Sequence, residues 1–311
     1  MSVSAVDSKT VKTDAQLLLT AAIWGFAFTA QRAGMEYIGP FTYNGIRFTL
    51  GTLSLLPLFW LTQRGVGASA RSSWTKVLPY GFPAGLLLFG GSSLQQIALQ
   101  FTTAGKAGFI TGLYVVLVPL FGHLLGSHSD RGRWVGALLA IGGLYFLSIS
   151  DEFRMASGDA LVVLCAFFFA GHVLYLSYAA PRLPALPLSM VQYAVCAVGS
   201  IIVSLFAEEA TLASVMAAWL PIVYGGLFSV GVAYSLQVYA QRRAHPAHAA
   251  ILLSLEGLFA ALGGFFLLGE LLSPRNLLGC ALMLAAMLAA QWGQIARASR
   301  GEGPARGPED E

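Results

Sequence analysis

Charge is what this sequence has least of. Only 11% of its 311 residues are Asp, Glu, Lys or Arg, against roughly 25% in soluble domains. A water-soluble protein of this length would have too few charges to cover its surface. Cysteine is scarcer still. Cys165, Cys196 and Cys280 all fall inside apolar runs, so they suit small packed residues better than a disulfide or metal set. The sequence also lacks an HExxH helix motif, a phosphate-binding loop and a paired-cysteine motif, and neither a metal nor a cofactor is expected. A net charge of +3, scattered through short loops, makes no nucleic-acid surface.

What is abundant is apolar: 56% of residues are hydrophobic and the mean hydropathy is +0.69. The expected class is an all-α integral membrane protein. Runs long enough to cross about 30 Å of hydrocarbon fall at about 15–33, 41–62, 78–100, 104–126, 133–150, 158–180, 186–206, 216–240, 246–269 and 276–295. Pro40, Pro187, Pro246 and Pro274 lie at or beside these ends, where proline disturbs a helix least. Residues 1–14 form a polar N-terminal segment, and 296–311 a polar tail expected to be disordered.

Ten spans put both termini on one side. With the N-terminus inside, thirteen Lys and Arg are inside, while Arg32, Lys106, Arg154 and Arg275 are outside; Arg47 lies within a span. The positive-inside rule then places both ends in the cytoplasm, and the expected location is the cell inner membrane. Trp60, Trp219 and Trp292 fall near the interfaces, as an aromatic belt requires.

The chain also repeats itself. "LLGSHSDRGRWVGALL" (124–139) aligns with "LLGELLSPRNLLGCAL" (267–282), and "SLQQIA" (93–98) with "SLQVYA" (235–240). Two five-span halves, 15–150 and 158–295 joined by a linker at 151–157, would enter the membrane with opposite polarity. Inverted repeats around a midplane site are a recurring transporter plan.

The stretch "AGKAGFITGLYVVLVPLFGHLLG" (104–126) resembles the fourth-span signature of the drug/metabolite transporter superfamily, within it the EamA family of ten-helix permeases. "LTAAIWGFAF" (19–28) is similar to that family's first span, and "SLEGLFAALGGFFLLGELLSPRNLLGCAL" (254–282) to its ninth and tenth. The sequence departs from the family pattern at Gly257, where proline often follows the glutamate, and in the "GSHSD" loop. The resemblance implies a basket of ten helices around a central cavity, with the fifth and tenth peripheral. It also implies export of amino acids or related metabolites. Sugar-phosphate or nucleotide-sugar exchange is the alternative within the superfamily.

Of 15 acidic residues, 14 fall in loops, tails or span ends. Glu256 alone is deep: it is the eleventh residue of its span, about 16 Å in at 1.5 Å per residue. An ionised side chain there costs about 3 kcal/mol on insertion scales. It must therefore face the bundle interior or a wet cavity, with a partner or a proton. Proton coupling, a contact to a cationic substrate group, a structural ion pair and a hydrogen bond to a neighbouring helix are the roles open to it. Small residues (Ala250, Ser254, Gly257, Ala261 and Gly264, with Ala249, Ala260 and Gly263 alongside) form a close-packing seam on its helix.

Arg47 is the one cation well inside a span, suited to a two-point contact with a substrate carboxylate or to snorkelling toward the headgroups. Asn44 shares its face one turn away. Gln95 and Gln237 occupy equivalent positions in the two halves and suit the pathway or interhelical bonding. Gln96, on another face, suits the latter. Trp24, Tyr114 and His172 sit near mid-depth, where rings stack on substrate or pack and a histidine relays a proton or bonds a neighbouring helix. The expected partners are a small-molecule substrate, protons and the lipid bilayer, for a monomer or homodimer. An intramembrane enzyme is the rival of a different class, and His172 with Ser254 or Glu256 would have to supply its chemistry. A purely structural bundle is the third reading.

Overall fold

A computed structural model describes residues 8–63, 74–124, 131–148, 156–244 and 246–290. Among these the chain is helix joined by short turns, without a strand. This is the economical solution in hydrocarbon, where every backbone N–H and C=O must bond within its own segment.

The helices are numbered here as segments. Segment 1 is Ser8–Gly34, and segment 2 is Pro40–Ser54 continued by Leu56–Gln63. Segment 3 is Trp74–Ala98; segment 4 is Ala104–Thr111 followed by Tyr114–Leu124; segment 5 is Arg131–Ser148. Segment 6 is Ser157–Ala179 and segment 7 is Ala185–Ala207. Segment 8 joins Trp219–Val223, the π-helix Tyr224–Tyr234 and Ser235–Gln241. Segment 9 is Pro246–Ser254 followed by Glu256–Leu268, and segment 10 is Pro274–Ala290. Six of these runs, in segments 2, 3, 4, 6, 7 and 8, are long and apolar enough to cross a membrane, and segments 5, 9 and 10 hold shorter apolar helices.

Prolines start several of them. Pro40 follows an extended Gly39, and Pro246 and Pro274 open segments 9 and 10, where the missing N–H costs nothing. Two boundaries differ from the sequence expectation. Segment 1 begins at Ser8 rather than near 15, because its polar first turns continue the helix past the apolar run. Segment 3 begins at Trp74 rather than near 78, with Pro79 and Pro83 inside it. The tail at 296–311, Trp292, Arg154, most of the 151–157 linker and the "GSHSD" loop lie outside the described residues.

Segment 9 is held by its small-residue seam. A Cβ added at Gly108 of segment 4 would lie 2.5 Å from the Ala260 Cβ, and one at Gly25 of segment 1 only 2.7 Å from the Glu256 carbonyl oxygen. Both are closer than van der Waals contact allows. Gly108→Leu is therefore expected to destroy the folded protein, read as loss of the monodisperse peak in detergent size exclusion, while Leu138→Ala on exposed segment 5 leaves it intact. Segments 5 and 10 pack on each other through Gly143 against Met283 and Gly279 against Leu147, away from the centre. All three cysteines are buried and free. Trp60 and Trp219 are exposed.

Candidate functional site

Segments 1, 2, 3, 4, 6, 8 and 9 surround a central cavity with about 460 Å³ of atom-free space, counting the part open to solvent.

Its acid sits at a helix break. Segment 9 is interrupted at Leu255 and restarts at Glu256. Segment 4 is interrupted at Gly112, 143 residues earlier, which is the offset that aligns 124–139 with 267–282. Glu256 is 4% exposed and lines the cavity, with no ion-pair partner among the described residues. The Tyr114 ring from segment 4 stands beside it. The two side chains interact, although the hydroxyl falls short of good hydrogen-bond geometry.

The cation is built from segment 2. Arg47 is 2% exposed, so it faces the bundle and does not snorkel. Its Nε donates to Asn44 Oδ1 at 2.8 Å, and Asn44 Nδ2 donates to the Ser92 carbonyl at 3.0 Å. The guanidinium lies over the Phe48 ring at 4.8 Å and the Tyr43 ring at 5.5 Å, contacts worth roughly 0.5–2 kcal/mol each when desolvated. Asn44 does not line the cavity. It holds Arg47 from behind, leaving the two terminal guanidinium nitrogens without a carboxylate among the described residues.

The remaining expected residues meet at the same place. Trp24 donates from Nε1 to the Ser229 carbonyl at 3.2 Å and leans on Tyr234, ring centroids 4.5 Å apart. His172 Nε2 and Gln192 Oε1 share a hydrogen bond of 2.7 Å, and the imidazole stands edge-on to Tyr234. Gln95 Nε2 donates to Thr111 Oγ1 at 3.4 Å. Gln237 reaches the cavity with its carbonyl oxygen unpartnered. Seven of the eight side chains singled out from sequence thus line one space, and Asn44 supports one of them. Gln96 instead donates to the Gln31 carbonyl of segment 1.

Sequence reasoning missed Gln31, whose side-chain carbonyl lines the cavity unpartnered, and also Phe28, Thr111, Phe169, Val173, Ser229 and Tyr234. Gln31 lies near a helix end, where a polar residue draws no notice. Ser229 and Tyr234 belong to the π-helix, whose i→i+5 bonding shifts the register and defeats a search at spacings of three and four. Among the described residues no three His, Cys, Asp or Glu gather as metal ligands. Among the described residues the cavity holds one cation, one acid, several amides and several aromatic rings. That is binding chemistry for a small polar guest.

The model of the EamA-like transporter family matches residues 12–149 and again 156–290. An uncharacterized transporter from Archaeoglobus fulgidus is 31% identical over 285 residues, covering 90% of this chain and 86% of its own. The uncharacterized transporter YwfM from Bacillus subtilis is 26% identical over 288 residues, covering 88% and 91%. Human solute carrier family 35 member F6 is 24% identical over 168 residues, covering 48% and 45%. A solved structure described as "Crystal structure of protein" superposes with a TM-score of 0.68 at 21% identity, over 93% of this chain and 99% of that one, and shares the fold. With a family model spanning both halves and a relative above 30% identity along most of the chain, this multi-pass membrane protein belongs to the EamA-like transporter family.

Proposed function

We propose that this transporter exports amino acids or closely related zwitterionic metabolites across an inner membrane by alternating access, with Glu256 linking export to proton movement. The observation that carries the reading is one cavity holding a cation and an acid that are not paired with each other. A zwitterion supplies a carboxylate for Arg47 and an ammonium for Glu256, and Trp24, Tyr114 and Tyr234 offer ring faces to the ammonium and to an apolar side chain. A proton taken up by Glu256 when the guest leaves would serve as the counter-ion. Two inverted five-helix halves, with breaks at Gly112 and Leu255, would rock around that site. Both termini lie in the cytoplasm on this reading.

Sugar-phosphate exchange fits less well. A phosphate guest wants several basic groups, and Arg47 is the one Lys or Arg among the described lining residues. The enzyme reading wants His172 beside a nucleophile, whereas its Nε2 faces the amide of Gln192.

Counterflow into proteoliposomes against a panel of amino acids, at two pH values, tests the proposal. Accumulation of at least one unmodified amino acid, with a rate that follows an imposed pH gradient, is expected. Exchange of phosphate esters alone, or chemical conversion of the guest, would remove it.

A further inference from the structure

The turn between segments 1 and 2 marks one face of the bundle, and segment ends alternate between that face and the opposite one. On that face three carboxylates from residues 156–290 each bind the chain before residue 124. Glu208, just beyond segment 7, accepts from the backbone N–H groups of Phe41 at 2.9 Å and Thr42 at 2.7 Å, and from the Thr42 hydroxyl at 2.7 Å. Glu270, just beyond segment 9, accepts from the N–H groups of Ala104 at 2.8 Å and Gly105 at 3.1 Å. Asp159, in the first turn of segment 6, accepts from the Thr102 hydroxyl and pairs with Lys106 Nζ at 3.5 Å.

Glu208 and Glu270 satisfy first-turn donors that segments 2 and 4 cannot satisfy for themselves, and a negative charge is favoured at those ends. Room for them is built in. A Cβ at Gly39 would fall 2.3 Å from the Glu208 carboxyl carbon, and one at Gly264 only 2.3 Å from Glu270 Oε2. Among the described residues at the opposite face, the first turn of segment 7 has no side-chain cap, and Gln241 bonds Val173 and Ser177 of its own half.

The two helices tied down by these caps are walls of the cavity. Arg47 and Thr111 each lie seven residues inside a capped end, about 10 Å below it. The cavity cannot open toward this face while those ends stay fixed to the other half. We infer that Glu208, Glu270 and Asp159 are the latch of a gate on this face, and that their release is what exposes the cavity there. None of the three touches the cavity, so the latch is separate from the substrate site. It rests on the family assignment and on no particular substrate.

The test places one reporter thiol in the cavity of the full-length chain: Ser229→Cys, with Cys165, Cys196 and Cys280 each changed to alanine. A membrane-impermeant maleimide is added from either side, in right-side-out and inverted vesicles. In Glu208→Gln/Glu270→Gln, labelling from the latched face is expected to rise about tenfold, the effect of a 1.4 kcal/mol shift in a two-state ratio, while labelling from the opposite face falls. Glu209→Gln, an acid next to the latch, is the control and should change neither rate. Unchanged labelling, or a rise from both sides as a loosened fold would give, overturns the inference. Failure of the substrate proposal would leave these rates untouched.

Discussion

Glu256→Gln is expected to give a better folded but nearly inactive protein: melting in detergent rises by a few degrees, transport falls by about a hundredfold, and the response to a pH gradient disappears. The cause is the cost of the carboxylate. It is 4% exposed in an apolar helical segment and has no ion-pair partner among the described residues. Holding a charged group there costs about 3 kcal/mol on insertion scales. The amide has the same shape and none of the charge, so part of that cost returns as stability, the usual trade at a functional site. What glutamine cannot do is carry a proton or balance an ammonium. Glu256→Asp keeps the group but draws it back by one methylene, and should transport slowly with the pH response intact. If the glutamine variant transports at the parent rate with the same pH dependence, the residue is architectural.

Glu256 and Arg47 were legible from sequence because a charge inside an apolar run is too costly to be incidental. The physics that makes them rare also directs them to the centre. Helix boundaries were legible for a similar reason: hydrocarbon admits little but helix, and prolines at 40, 246 and 274 mark starts. The breaks at Gly112 and Leu255 carry no such mark. Leu255 holds right-handed helical angles, with φ −62° and ψ −9°, so the distortion is small. Ser229 and Tyr234 were hidden because a π-helix carries no composition signal of its own. Glu208 and Glu270 looked like ordinary loop acids. Their meaning lies in which backbone they reach, 166 or 167 residues away in Phe41 and Ala104, and one sequence does not reveal such pairings.

Arg47 carries the second large expectation. Arg47→Lys keeps a positive charge, yet lysine ends in a compact ammonium and loses the Nε bond to Asn44 and the flat contact on Phe48 and Tyr43. A charge-assisted bond is worth about 1.5–3 kcal/mol, so the KM for a zwitterionic amino acid should rise roughly tenfold to a hundredfold. A general loss of folding could mimic this, and the discriminating measurement is a comparison of guests. The parent protein should prefer an amino acid over its methyl ester, which keeps the ammonium and hides the carboxylate. Arg47→Lys should lose most of that preference while handling the ester nearly as before. Because Arg47→Ala would also orphan Asn44 Oδ1 in a buried setting, Asn44→Leu is added to that variant to relieve the fold without restoring the preference. If the lysine variant discriminates acid from ester as sharply as the parent, the guanidinium is a structural cation held by two rings, and the carboxylate of the guest is recognised elsewhere.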